Sequence, residues 1–339
     1  MSNYSKTYRV GLVGSGGIAR AHGTACQALD GADLAAICDV SQDALDRYGE
    51  QFGVANRYLD LDDMLEDANL DIAILCNWGA VHAETGIQIA KSRKVRAILC
   101  EKPFTNNAAE AREMVAAAQE NGILLAEAFK FRHHPMHLKA KELADSGAIG
   151  DVLTIRSTFC SGGSGAGPET RKPENNWRFN KAKGGGSVYD LACYCIHHAR
   201  FMFGADPVRV FASSQPGLEV DDAMYILLVF PEDRTAQISV GFNSATAQYV
   251  EVCGSGGMLR IEIAWNNENR SVDLEHRTPD GTEFINFEPI HQFTNQLAHL
   301  CDCLETGQPH RIPPENSINQ MRTIDAVFES AATGKAVEM

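Results

Sequence analysis

The sequence predicts an α/β protein of two domains: an N-terminal doubly wound parallel sheet, then a C-terminal α/β domain with an open, mostly antiparallel sheet. Two observations carry this. In the first part, short apolar runs without alternation, such as Ala97-Ile98-Leu99-Cys100, recur between helical stretches, as expected of strands buried on both faces and covered by helices. Beyond Gly204 the runs follow one another across short turns, the pattern of antiparallel pairing. A chain of 339 residues suits two domains better than one.

In order, the first domain (1–127) reads as strand Tyr8–Val13, helix Gly17–Leu29, strand Leu34–Cys38, helix Gln42–Phe52, strand Asp71–Cys76, helix Val81–Lys91, strand Ala97–Cys100, helix Asn107–Gln119 and strand Ile123–Ala126. The second (128–339) reads as helix Met136–Ala144, strand Val152–Phe159, a Gly- and Pro-rich loop Ser161–Asn176 and helix Val188–Phe203. Strands Val208–Ala212, Met224–Phe230, Thr235–Phe242, Gln248–Cys253 and Met258–Ile263 follow, then helices Phe293–Glu305 and Ile318–Ala331. A loop as long as Ser161–Asn176 is usually functional.

Composition removes several classes of function. A net charge of -14 argues against nucleic acid or an anionic membrane as partner, and no apolar run approaches a membrane span. The polar start Met1–Lys6 lacks an apolar signal core, and the ten cysteines lie mostly in apolar stretches, as with Cys38, Cys76 and Cys100. Both features are expected of a reduced, cytoplasmic protein. Cys193-x-Cys195 and Cys301-x-Cys303 fall in helical patterns, where i and i+2 face apart, so no metal site is expected.

Gly14-Ser15-Gly16-Gly17-Ile18-Ala19 directly follows the first strand and opens the first helix. It fits the dinucleotide fingerprint: Gly14 for the tight turn, Gly16 for approach of a pyrophosphate, Ala19 for helix–strand packing, with Gly17 and Ile18 presenting helix N–H groups. Asp39 ends the second strand, where a carboxylate accepts from both adenosine ribose hydroxyls and repels a 2′-phosphate. This favours NAD over NADP; Arg20 is the nearest countersign. Asp39 could also cap the following helix, although Ser41 is better placed.

Glu101-Lys102-Pro103 ends the Ala97–Cys100 strand, at the sheet edge where ligands bind. A cation there lowers the pKa of a neighbouring hydroxyl. The second constellation is Gly184-Gly185-Gly186-Ser187 followed by Asp190 and Tyr194, which are i and i+4 on one helical face, with His198 a turn later. A phenol beside a lysine could give a proton to an alkoxide. Alternatively, Ser187-x-x-Asp190 is a capping box and Tyr194 an ordinary half-buried residue. Trp177 and Arg178 suit sugar contacts and structural roles equally. The charges of Phe129-Lys130-Phe131-Arg132-His133-His134-Pro135 are expected to line the cleft between the domains, with Lys130 as a substrate contact; alternatively, Pro135 simply starts the next helix.

Together these motifs resemble, in order and spacing, the Gfo/Idh/MocA oxidoreductase family over essentially the whole chain. The resemblance implies a Rossmann domain, an NAD(P)-dependent dehydrogenase of sugars or polyols, and a dimer or tetramer built through the C-terminal sheet. It assigns the family lysine to Lys102 and the helix aspartate to Asp190. Where many members carry His, this chain has Tyr194, as in the branch with dihydrodiol dehydrogenase, aldose dehydrogenases and glucose–fructose oxidoreductase, whose tyrosine is the acid/base. Asn77-Trp78 departs from the usual Thr-Pro, and His82 matches the histidine after it, placing all three with Glu101 beside the cofactor. Two other readings stand: a 3-ketoreductase of a nucleotide-linked or modified sugar, with Arg171, Lys172 and Arg178 at the diphosphate, and a dinucleotide-binding sensor without turnover.

Overall fold

The computed structural model describes residues 4–161 and 168–339. The chain builds, in order, β1 (Tyr8–Val13), α1 (Gly17–Ala28), β2 (Ala32–Cys38), α2 (Gln42–Phe52), β3 (Arg57–Tyr58), α3 (Leu61–Asp67), β4 (Ile72–Leu75), α4 (His82–Ser92), β5 (Ala97–Glu101), α5 (Ala108–Glu120) and β6 (Leu124–Ala128). The six strands form one parallel sheet in the order β3-β2-β1-β4-β5-β6. Every residue of β4 and β5 is buried, which is why these runs do not alternate. The order reverses between β1 and β4. In such sheets the crevice outside the carboxyl ends at that point takes the ligand. β3 and α3 escape a hydrophobic reading. β3 has two residues, and α3 is acidic, buries Met64 and Leu65, and is started by Asp60, whose carboxylate accepts from the Asp62 and Asp63 N–H groups.

The chain continues with α6 (Pro135–Asp145), β7 (Val152–Cys160), a π-helical turn over Val188–Ala192, α7 (Cys193–Phe203), β8 (Arg209–Pro216), β9 (Asp221–Val229), β10 (Thr235–Gly241), β11 (Val250–Gly254), β12 (Met258–Ile261), β13 (Val272–Thr278), β14 (Gly281–Phe287), α8 (Gln292–Thr306), α9 (Pro314–Thr333) and β15 (Val337–Glu338). Nine strands order as β14-β13-β12-β11-β7-β10-β9-β8-β15, antiparallel throughout except for the parallel pair β7–β10. Along β9, Met224, Ile226 and Leu228 are buried while Tyr225 and Leu227 are exposed. One face is therefore core, with α7 packed on β7 and β10, and the other stays open. β13 and β14 carry mostly polar or exposed residues, so apolar runs do not announce them. Of the Ser161–Asn176 loop, residues 162–167 lie outside the described residues, and Pro168–Arg171 forms a 3₁₀ turn.

The compact units divide differently from a boundary at 127. One holds Met1–His133 with His291–Ile318, the other His134–Ile290 with Asn319–Met339. The reason is α8. Its stripe Phe293, Leu297, Leu300 and Cys301 enters the core formed by Val10 and Leu12 of β1 and Ala25 of α1. Periodicity shows that α8 has an apolar face; it does not say which core receives it. Among the described residues, no helix is long and apolar enough to cross a membrane.

Within the first unit, His133, His299 and His310 pack with ring centroids 4.7 to 5.5 Å apart. Beside them, Arg132 and Arg311 each donate to the other's backbone carbonyl. Burial comes first, then neighbouring positive or protonatable groups: they push His299 down to about 4, His310 down to about 3 and His133 well below its ordinary value. The unfolded chain takes these protons near pH 6.5, whereas the folded one resists them to about pH 4 or below. The unfolded state thus binds more protons in that window, and stability falls as pH falls through it. Denaturant midpoints measured from pH 7 to 4 should decline, and the decline should be shallower in His310→Gln. A profile identical to the parent would exclude this cluster as its source.

Candidate active site

The β1–α1 turn depends on close backbone contact. Gly14 sits at φ +94°, and a Cβ there would lie 2.6 to 2.8 Å from backbone atoms of Cys76 and Asn77. Among the described residues no side chain caps α1, whose N-cap is Gly16, so its first N–H groups are left to another partner. A Cβ on Gly16 or Gly17 would meet nothing within 4 Å. Glycine therefore keeps clear a space beyond the protein's own atoms. An uncapped helix start under open space fits a pyrophosphate. Ala19 is fully buried, and Tyr48 holds its carbonyl through a 2.6 Å hydrogen bond.

Asp39 lies at the end of β2 and ties the turn together. Its Oδ2 accepts from the Ser15 N–H and hydroxyl, both at 2.8 Å, and Oδ1 accepts from Ser41 N–H at 3.0 Å. Ser41, not Asp39, caps α2 through Ala44 N–H. Arg20 is exposed on α1.

At the ends of β4 and β5, Asn77, His82 and Glu101 are held by hydrogen bonds. Asn77 donates to Thr85 Oγ1 at 2.9 Å. Trp78 is 44% exposed at the same edge. His82 opens α4 and is buried. Its Nδ1–H donates to the Pro103 carbonyl at 2.8 Å and Nε2 lies 3.3 Å from the Asn77 carbonyl; burial lowers its pKa, and these carbonyls oppose that shift. Glu101 is buried against His22 of α1 at 2.7 Å and accepts from Lys102 N–H at 3.2 Å. Lys102 is half-buried, and Lys130 is buried with its ammonium 5.4 Å from the Phe293 ring centre. Pro135 does open α6, with His134 Nδ1 accepting from Met136 N–H.

In the second unit the helix expected over Val188–Phe203 opens instead with the π turn. No capping box forms. The Ser187 hydroxyl and the Val188 N–H both donate to Asp221, while Asp190 accepts from Arg178 Nε at 2.8 Å. Burial raises the pKa of Asp221, and the donors from Ser187 and Val188 oppose that rise. The Arg178 guanidinium also stands 4.9 Å from the Trp177 ring centre. The triple glycine makes this arrangement possible: a Cβ on Gly185 would lie 2.6 Å from the carbonyls of Trp177 and Arg178. Tyr194 is buried in an aromatic wall, with ring centroids 5.6 Å from Phe159 and 5.7 Å from Trp265.

Two family models, one sequence relative and two solved structures are similar to this chain. Residues 8–129 match the oxidoreductase family with an NAD-binding Rossmann fold, and residues 137–260 match the GFO/IDH/MocA C-terminal domain. The D-xylose 1-dehydrogenase (NADP(+)) 2 of Haloferax volcanii is 30% identical over 312 residues, 91% of this chain and 92% of that one. The chain belongs to the Gfo/Idh/MocA oxidoreductase family. Similar solved structures include an aldose-aldose oxidoreductase from Caulobacter crescentus complexed with glycerol, at TM-score 0.89 and 25% identity over 98% of this chain and 100% of that one. A 3-ketoreductase from Actinomadura kijaniata, in complex with NADP and TDP-benzene, superposes with TM-score 0.87 and 26% identity over 96% and 98%. The chain is an NAD(P)-dependent oxidoreductase, and its Rossmann unit carries the uncapped glycine turn that such a cofactor requires.

Sequence reasoning misses four supporting residues: His22, Thr85, Asp221 and Trp265. His22, Asp221 and Trp265 lie 79, 34 and 107 residues along the chain from the groups they bond, and Thr85 lies eight residues from Asn77, across the start of α4. Trp265 is fully buried, donates its indole N–H to the Thr158 carbonyl at 3.1 Å, and stacks on His137. Only long-range packing identifies it.

Because a side chain at residue 16 would meet no protein atom, Gly16→Val should leave the thermal midpoint almost unchanged. Dinucleotide binding should weaken by roughly tenfold or more, about 1.4 kcal/mol. Titration of NADH fluorescence beside a thermal melt checks both. Unchanged affinity would remove the pyrophosphate from this turn.

Proposed function

We propose that the protein is a cytoplasmic dehydrogenase of a small free sugar or polyol that uses NAD in preference to NADP, with Tyr194 as its acid/base. The observation that carries this is the setting of Tyr194. A buried phenol stands on the helix whose preceding turn presents Asp190, already braced by Arg178. Bound at the glycine turn, NAD(P) would take up or return the hydride. Tyr194 moves the hydroxyl proton. Lys102 lowers the pKa of that phenol and holds the substrate, and Asp190 orients a sugar hydroxyl. Trp177, Arg178 and Lys130 supply further substrate contacts. Asn77, Trp78, His82 and Glu101 shape the cofactor side.

The basic residues argue for a small sugar over a nucleotide-linked one. Arg171 pairs with Asp222, Lys172 with Glu169 at 2.7 Å, and Arg178 with Asp190. A diphosphate would have to compete with those carboxylates. The names of the relatives, a xylose dehydrogenase and an aldose-aldose oxidoreductase, agree with this choice. The NADP of the xylose enzyme's name does not, and Asp39 is the reason to favour NAD here: its carboxylate would repel a 2′-phosphate. The ten free cysteines support a reducing compartment.

The open sheet face supports a homodimer or homotetramer. Phe211 and Leu227 are cross-strand partners, with Tyr225 exposed beside them. Exposed apolar groups gathered this way mark an interaction surface.

A spectrophotometric screen of free aldoses and polyols, run with NAD and NADP in parallel, tests the reading. A free sugar should turn over faster with NAD. Tyr194→Phe and Lys102→Ala should each lose roughly 10²- to 10⁴-fold in kcat and still bind NAD. Near-normal turnover in both would refute the assignments, turnover of nucleotide sugars alone would favour the 3-ketoreductase, and NAD binding without any turnover would leave a sensor. For the assembly, Tyr225→Asp should lower the mass seen by light scattering from that of an oligomer toward a monomer. A parent that is itself monomeric would reject the oligomer outright.

A further inference from the structure

We propose that His22 is a positioning residue for Lys102, acting through Glu101, and so joins the helix that receives the cofactor phosphates to the strand that carries the lysine. The inference rests on the reading of Lys102 given above. His22 lies on the inner face of α1, one turn beyond Ala19, and is fully buried. Its Nε2 is 2.7 Å from Glu101 Oε1, and Glu101 is itself almost completely buried. A carboxylate only accepts, so Nε2 carries the proton. Nδ1 is buried and has no hydrogen-bond partner among the described residues. The Phe293 ring packs edge-on against the imidazole at 5.1 Å and closes that side.

A helix and a strand could be locked together by apolar side chains at less cost than by a buried carboxylate. What the carboxylate adds is a second bond. Glu101 Oε2 accepts from the backbone N–H of Lys102 at 3.2 Å. With one oxygen held by α1 and the other holding Lys102, the carboxylate fixes where the lysine leaves the strand. Loss of the His22 donor frees Glu101 to rotate and leaves its buried Oε1 without that hydrogen bond.

The test is His22→Leu, His22→Gln and Glu101→Gln, each also combined with Lys102→Ala, assayed on the sugar found in the screen. His22→Leu should lose roughly 10- to 100-fold in kcat, with NADH affinity within about threefold of the parent. His22→Gln, whose amide N–H can reach Glu101, should recover most of that loss. In the Lys102→Ala background, His22→Leu should cost little more, because the two act as one unit. Equal losses in both backgrounds would overturn the proposal. So would an unchanged kcat, or a loss confined to NADH affinity. Should His22→Leu not fold, Glu101→Gln carries the test alone, with the same expected drop in kcat and the same overturning result. If Lys102→Ala itself keeps full turnover, the reading of Lys102 fails and this inference with it. If Lys102→Ala is inactivated and His22→Leu is not, the inference alone fails.

Discussion

The backbone at Gly14 passes so close to the end of β4 that there is no room for even a methyl group. Much of the Rossmann unit follows from that approach. It brings the β1–α1 turn against Cys76 and Asn77 where the strand order reverses, so the start of α1 opens over the carboxyl edge of the sheet. Asp39 then holds Ser15 from the other side, and β1, β2 and β4 converge on one short turn. The glycine turn is thus held by backbone contact and one carboxylate, which leaves its outer N–H groups for a ligand.

The same economy governs the Glu101-Lys102-Pro103 segment. Its three residues are secured by three different partners: Glu101 by His22, the Lys102 N–H by Glu101, and the Pro103 carbonyl by His82. His22 and His82 come from α1 and α4, so both helices take part in fixing the end of β5. Buried polar groups of this kind specify one arrangement only when each bond is made. That explains why a charged pair can end a strand whose every residue is buried.

In the second unit the corresponding device is the π turn. Asp221, at the start of β9, takes the Ser187 hydroxyl and the Val188 N–H, and Gln320 of α9 donates to the Cys193 carbonyl at 2.9 Å. The wide turn is held at its entry and its exit, with Asp190 between the two anchors and Tyr194 directly after the second. π-helical turns often occur at functional sites. Here the turn replaces the capping box that Ser187 and Asp190 suggest in the sequence. It leaves Asp190 to Arg178.

What the sequence makes legible follows from the range of each interaction. β1, α2, β5 and the glycine turn are governed by neighbours in the chain, by burial on both faces or by a cap, so local pattern locates them closely. Asp190 and Tyr194 are legible as a spaced pair. Their supports are not, because Asp221 reaches Ser187 across 34 residues of chain and Gln320 reaches Cys193 across 127. The π turn is invisible for a related reason: an extra residue in a helical turn changes which carbonyl meets which N–H without changing the apolar pattern. α8 shows the same limit at the scale of a unit. Its stripe is plain in the sequence, yet the surface it fills belongs to strands almost 300 residues earlier, between Phe293 and Val10. Chemistry-bearing residues are therefore readable from this chain where they sit at the ends of regular elements. The residues that hold them in place become readable only when the elements are packed.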